Sequence, residues 1–289
     1  MSPTALLLVL LAALCHSGWN LIVKTDPRRL EIQSGALWVG AGLCAPALYF
    51  HSPWELPPQA WVAVVVSAAL ESAYVLALSS AYAAGDMSLV YPVARGSGSV
   101  LVPPLAVLLL GERLSWQGIV GIGLVVVGIF LSHGALTGWA SERAHRPALG
   151  WALLTGVLIA SYSLVNKVGV SLVPVPLYAF LVFLADAMIV RLVRYRLGAA
   201  PVFRREAPWG PMVAVGVLMM GAYLAVLAAM AHAPVSYVVA AREVSVVVAA
   251  HRGAAAPRAA LAPAGGRGGG HLRRPLRDRP RPVRPPGVV

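Results

Sequence analysis

Five ionisable side chains stand inside apolar stretches of this 289-residue chain: Glu71, Arg95, Asp186, Arg242 and Glu243. At the centre of a membrane helix such a group costs about 2.5–3.5 kcal/mol on insertion scales, so it is expected to face a cavity or a partner. Arg95 and Arg242 could converge on one anionic group, because the guanidinium fork matches carboxylate or phosphate oxygens. Equally, Arg242 could pair with Glu243, or Arg95 with Glu71, as structural glue. Glu71 has no basic residue within a turn, which makes it the candidate for a protonatable coupling site; a neutral, hydrogen-bonded carboxyl is the alternative. Asp186 precedes Arg191 by five residues and is expected to pair along its helix. Lys24 and Lys167 lie close to helix ends and are expected to snorkel to the interface.

Trp19, Tyr74, Tyr91, Tyr162, Tyr223 and Tyr237 could line an amphipathic cavity or serve as packing and belt residues. Asn20 and Asn166 need partners at depth, in a cavity or between helices. Pro92, Pro103 and Pro104 remove backbone donors from one apolar run and are candidate hinges. No catalytic pattern accompanies these groups. Gly96-Ser97-Gly98-Ser99 is not a nucleophile elbow, and no phosphate-cradling glycine loop with lysine is present. Cys15 and Cys44 have no histidines at ligand spacing, and His232 stands alone, so neither a metal nor a cofactor is expected.

The elements that must position these groups are membrane helices. With 58% hydrophobic residues, 12% charged residues and a mean hydropathy of +0.75, the chain reads as an integral membrane protein. The formal charge of +12 suggests nucleic acid, but nine of the 23 basic residues and only one of the 11 acidic ones lie beyond Ala250. No nucleic-acid partner is expected. Apolar runs fall at roughly 4–24, 33–50, 60–83, 87–110, 115–133, 149–169, 175–194, 209–230 and 234–250, joined by short Pro-, Gly- and charge-marked connections. The N-terminal run lacks the basic flank of a secretory signal and reads as a retained first helix.

The runs repeat. Trp19 to Lys24 in the first matches Tyr162 to Lys167 in the sixth, Tyr74 resembles Tyr223, and Arg95 resembles Arg242. Five helices recurring as five must point the two halves in opposite directions across the membrane. The predicted fold is therefore an all-α integral membrane protein of two inverted five-helix repeats, with ten helices expected and about nine encoded. Its divisions are 1–133, a linker at 134–147, a truncated second repeat at 148–250 and a basic tail at 251–289. Ten lysines and arginines flank the loops after helices one, five and seven, against two on the other side, which places the N-terminus outside. Small residues Ala148, Ala152, Gly156 and Ala160 share one face of the sixth helix, and Gly118, Gly121, Gly123 and Gly128 crowd the fifth. Both sets are expected to pack inside the protein.

These features together resemble the EamA-type carriers of the drug/metabolite transporter superfamily. The likeness rests on His16-Ser17-Gly18-Trp19-Asn20 with Lys24, on Tyr91-Pro92 through Gly111-Glu112-Arg113-Leu114, and on Ala233-Pro234-Val235-Ser236-Tyr237 through Arg242-Glu243. It implies ten helices, a central cavity lined by both halves, alternating access, an inner-membrane location and both termini in the cytoplasm, opposite to the charge count. The resulting expectation is a secondary transporter of a small polar metabolite, anionic metabolites included, and by family analogy an exporter. A coupling proton and membrane lipid are its expected partners, with no oligomeric state assigned. A truncated non-transporting scaffold and a lipid-carrier flippase are the alternatives.

Residues 251–289 switch abruptly to arginine, proline, glycine and alanine inside an expected helix. A natural low-complexity tail is one reading. A one-base frameshift near Ala250 is the other, since reading one base later from Arg258 permits a glutamate-arginine stop and an apolar run like Glu112 to Phe130.

Overall fold

The protein is described by a computed structural model over residues 1–85, 87–132 and 146–243. The linker segment 133–145, the end of the ninth apolar run and the basic tail lie outside the described residues. Helix α1 spans Pro3–Thr25. Ser2 caps it, its Oγ accepting from the Ala5 amide at 3.2 Å, and Pro3 occupies the first turn, where no backbone donor is needed. Ala5, Val9 and Ala12 are buried while Leu7, Leu14 and Leu21 are exposed, so the helix keeps one face inward and one toward lipid.

The second run differs from its expected bounds. Helix α2 begins at Arg29 and ends at Cys44, followed by a single turn, α3, at Ala47–Phe50 and a 3-10 turn at Pro53–Glu55. Pro46 lacks the amide that would continue the ladder, and the Ala45 amide instead donates to the nearer Gly42 carbonyl at 3.2 Å. The remaining helices are α4 (Pro58–Ala84), α5 (Met87–Leu110), α6 (Trp116–Ser132), α7 (Arg146–Leu172), α8 (Val175–Arg196), α9 (Trp209–His232) and α10 (Val235–Arg242). Helices α1, α4, α5, α7, α8 and α9 are long and apolar enough to cross a membrane, and α6 is a shorter apolar helix.

Numbered as membrane helices with α3 left out, the third packs on the sixth (α4 on α7) and the first on the eighth (α1 on α9). Replacing each helix by its counterpart five places away in the other repeat, the third by the eighth and the sixth by the first, turns one pair into the other. The second and seventh (α2 and α8) pack together, as do the fourth and ninth (α5 and α10), and each of these pairs maps onto itself. This exchange is what two inverted five-helix repeats require.

Close approach between α5 and α7 uses the expected small-residue stripe. Ala148, Ala152 and Ala160 are fully buried, and a Cβ at Gly156 would collide with Ser97 and lie 3.0 Å from the Gly98 amide. The glycines of α6 behave differently: Gly118 lies against the Tyr237 ring, but Gly121, Gly123 and Gly128 face open space among the described residues. Helix α6 contacts α5 and α10, so most of its surface has no neighbour within the described chain. Helix α5 runs as one helix through Pro92, Pro103 and Pro104. Ser97 Oγ bonds back to the Val93 carbonyl at 2.6 Å, an arrangement that favours local bending.

Candidate functional site

Where α5 meets α10, Arg95 and Glu243 form a two-pronged ion pair. Arg95 Nε donates to Glu243 Oε2 at 2.9 Å and Nη2 lies 2.8 Å from Oε1. The residues are 4% and 1% exposed, so water screens this pair little. Neither pairing considered from sequence is formed: Arg95 takes Glu243 rather than Glu71, and Arg242 is not the partner of its neighbour. Helices α5 and α10 are equivalents in the two repeats, and their packing sets the pair. Arg242, one residue earlier, turns toward α7, its Nη2 reaching Tyr162 Oη at 3.4 Å.

Aromatic rings close around the pair. Tyr74 of α4 meets Tyr162 edge-on, with centroids 5.8 Å apart, and His16 meets Trp19 edge-on at 5.0 Å. Tyr74, Tyr91 and His16 lie within electrostatic range of both arginines. His16 belongs to the family likeness, and its position one turn from the repeat-matched Trp19 is the sequence signal that places it here. Asn20 does not join the group. It is exposed and its Nδ2 donates to the His16 carbonyl at 2.8 Å.

A second polar cluster joins α4 to α7, α8 and α9. Glu71 Oε1 accepts from Asn166 Nδ2 at 2.9 Å and Tyr223 Oη at 3.0 Å, with Ser67 Oγ at 3.2 Å. Asn166 Oδ1 accepts from Tyr178 Oη at 2.9 Å. Glu71 Oε2 makes no hydrogen bond among the described residues, so one carboxyl oxygen is held and the other is available. Asp186 faces the same cluster, 2.9 Å from Ser72 Oγ and within electrostatic range of Glu71. It forms no ion pair with Arg191. Five residues turn a helix through about 140° beyond one full revolution, which puts the two on different faces. Tyr223 also packs on Phe183, centroids 5.1 Å apart. The repeat-matched aromatics thus divide: Tyr74 and Tyr162 lie near the arginines, Trp19 lies against His16 and the Val23, Ile32, Ala36 and Val215 cluster, and Tyr223 is at Glu71.

At one membrane edge a third group ties the repeats together. Gly111 has φ +68°, the left-handed conformation that ends α5, and the Glu112 amide closes the turn on the Ala106 carbonyl at 3.2 Å. That turn delivers the Glu112 carboxylate to the start of α10, where it accepts from the Val235 and Ser236 amides and from Ser236 Oγ at 2.7 Å. Free amides and the positive end of the helix dipole make this a favourable seat for a carboxylate. Tyr237 Oη accepts from the Ser115 amide at 2.9 Å. Lys167 does not snorkel: its Nζ donates to the Met230 and Ala233 carbonyls at the end of α9. Open carbonyls there outbid the interface. The side chain of Lys24 lies outside the described residues.

Glu112 read as a helix stop is therefore a cap for a helix of the other repeat. Glu112→Ala is expected to lower stability by about 1–2 kcal/mol, measured as a shift of thermal unfolding of the purified protein in detergent. Ser236→Ala added to it should cost little more, because the two share one interaction; full additivity would refute the cap.

The fold and these clusters define a multi-pass, all-α membrane protein whose polar groups lie between helices of two repeats. Residues 3–133, the first five membrane helices, match the EamA-like transporter family, in line with the resemblance read from the sequence. Its fold is also that of a protein of known crystal structure, with a TM-score of 0.68 and 21% identity over 90% of this chain and 94% of the other. No curated protein matches the chain. Among the described residues no group of three His, Cys, Asp or Glu could hold a metal ion.

Proposed function

We propose that this protein is a secondary transporter moving a small polar metabolite with an anionic group, outward across the inner membrane, by alternating access between repeats 1–133 and 148–250. The observation that carries the reading is that each buried polar cluster draws members from both halves: Arg95 with Glu243, and Glu71 with Asn166 and Tyr223. Charges held at depth between halves that move against each other give a substrate something to exchange with. An incoming anion would compete with Glu243 for Arg95, with Arg242 beside it and Trp19, Tyr74 and Tyr162 as walls. Pro92, Pro103 and Pro104 would let α5 move, and Glu71 Oε2 would carry the coupling proton. A glutamate stop, which reading one base later from Arg258 permits, would supply the second repeat with a counterpart to Glu112.

The test is efflux of radiolabelled carboxylates and phosphate esters from proteoliposomes holding the full chain, with and without a pH gradient. Saturable flux that collapses when a protonophore is added is expected. Flux confined to cations would refute the anionic class. No flux from monodisperse protein would favour a non-transporting scaffold, and leaflet exchange of labelled lipid would favour a flippase.

A further inference from the structure

A cavity of about 380 Å³ opens at the membrane edge opposite Glu112, between the α1–α2 turn and the end of α8 with the segment that follows it. Arg28, Arg29, Glu31, Arg194, Ala200 and Arg204 line it, the first three from the first half of the chain and the others from the second. Its charges do not cancel. Glu31 is taken by Arg204, whose Nη2 lies 2.9 Å from Oε1 and 3.1 Å from Oε2, and Arg28 contacts Asp26 at 3.6 Å. Arg29 and Arg194 have no carboxylate at ion-pair distance among the described residues. Arg194 Nη2 donates to the Ala200 carbonyl at 3.0 Å, while its Nε is buried with no hydrogen-bond partner. A buried donor on a permanently charged group costs free energy until an acceptor fills it. Two unmatched guanidiniums around one cavity suit a phosphoester, whose oxygens accept several such bonds.

The surroundings favour a lipid headgroup as the source of that phosphoester. Leu30, which lines the cavity, is 61% exposed, and Leu197 nearby in the chain is 78% exposed. Phe203 and Trp209 stack at 5.5 Å beside Arg204, an aromatic pair of the sort found at headgroup depth. This is also the edge that the charge bias assigns to the cytoplasm, the side where anionic lipid is concentrated.

We propose that this cavity binds the phosphoester of an anionic phospholipid, which bridges the two repeats at this membrane edge through Arg29 and Arg194. The proposal does not depend on transport. Native mass spectrometry of the full chain, released from micelles containing equal phosphatidylglycerol and phosphatidylcholine, should show one phosphatidylglycerol retained. Arg29→Gln with Arg194→Gln should weaken that retention about tenfold or more, while the double lysine substitution, which keeps both charges, should retain most of it. Equal retention of the two lipids, or no change in the glutamine variant, would overturn the proposal. Displacement of the lipid by inorganic phosphate would overturn the headgroup assignment and give the site to a soluble phosphoester.

Discussion

Arg95→Gln is expected to destabilise the protein by about 3–5 kcal/mol, because it strands the Glu243 carboxylate, 1% exposed, without its counter-charge. The measurement is thermal unfolding of the full chain in detergent, with recovery of monodisperse protein as the second readout. Arg95→Met combined with Glu243→Leu should regain most of that loss, since removing both charges also removes the desolvation cost. The same double variant separates a structural pair from a substrate site. If the pair only holds α5 to α10, the apolar variant folds and still transports. If Arg95 exchanges Glu243 for an anionic substrate, the variant folds and transport is lost, and the second result is expected here.

Glu71→Gln should reduce pH-driven flux about a hundredfold or more while leaving the fold intact. The amide keeps an acceptor oxygen for Asn166 and Tyr223, which meet Glu71 Oε1 at 2.9 and 3.0 Å. What it loses is a second oxygen able to take a proton. Substrate-for-substrate exchange, which needs no net proton movement, should persist, and that contrast distinguishes a coupling role from a collapsed cavity. Undiminished pH-driven flux in Glu71→Gln would remove Glu71 from the mechanism.

The cap and the edge of the bundle show why some residues were legible and others were not. Apolar runs mark helices because lipid demands about 20 such residues per crossing, and Pro and Gly mark their ends. The repeat, the resemblance and the small-residue stripe on α7 followed from the same one-dimensional patterns. The break of α2 at Pro46 was also local, but the apolar residues on either side of it read as one run.

Partners were a different matter. A glutamate in an apolar stretch announces that something must satisfy it and says nothing of what. Arg95 meets Glu243 across 148 residues, Glu112 reaches Ser236 across 124, and Lys167 reaches Met230 across 63. Local reasoning offered Asp186 its helix neighbour Arg191, yet the turn of the helix sends them apart. The chain alone determined a membrane protein of two opposed helix repeats with costly charges at known depths, because hydropathy and helical period act along the sequence. Only the tertiary structure decided which charges meet, because that depends on which faces of distant helices pack together, and small residues such as Gly156 set how close they come.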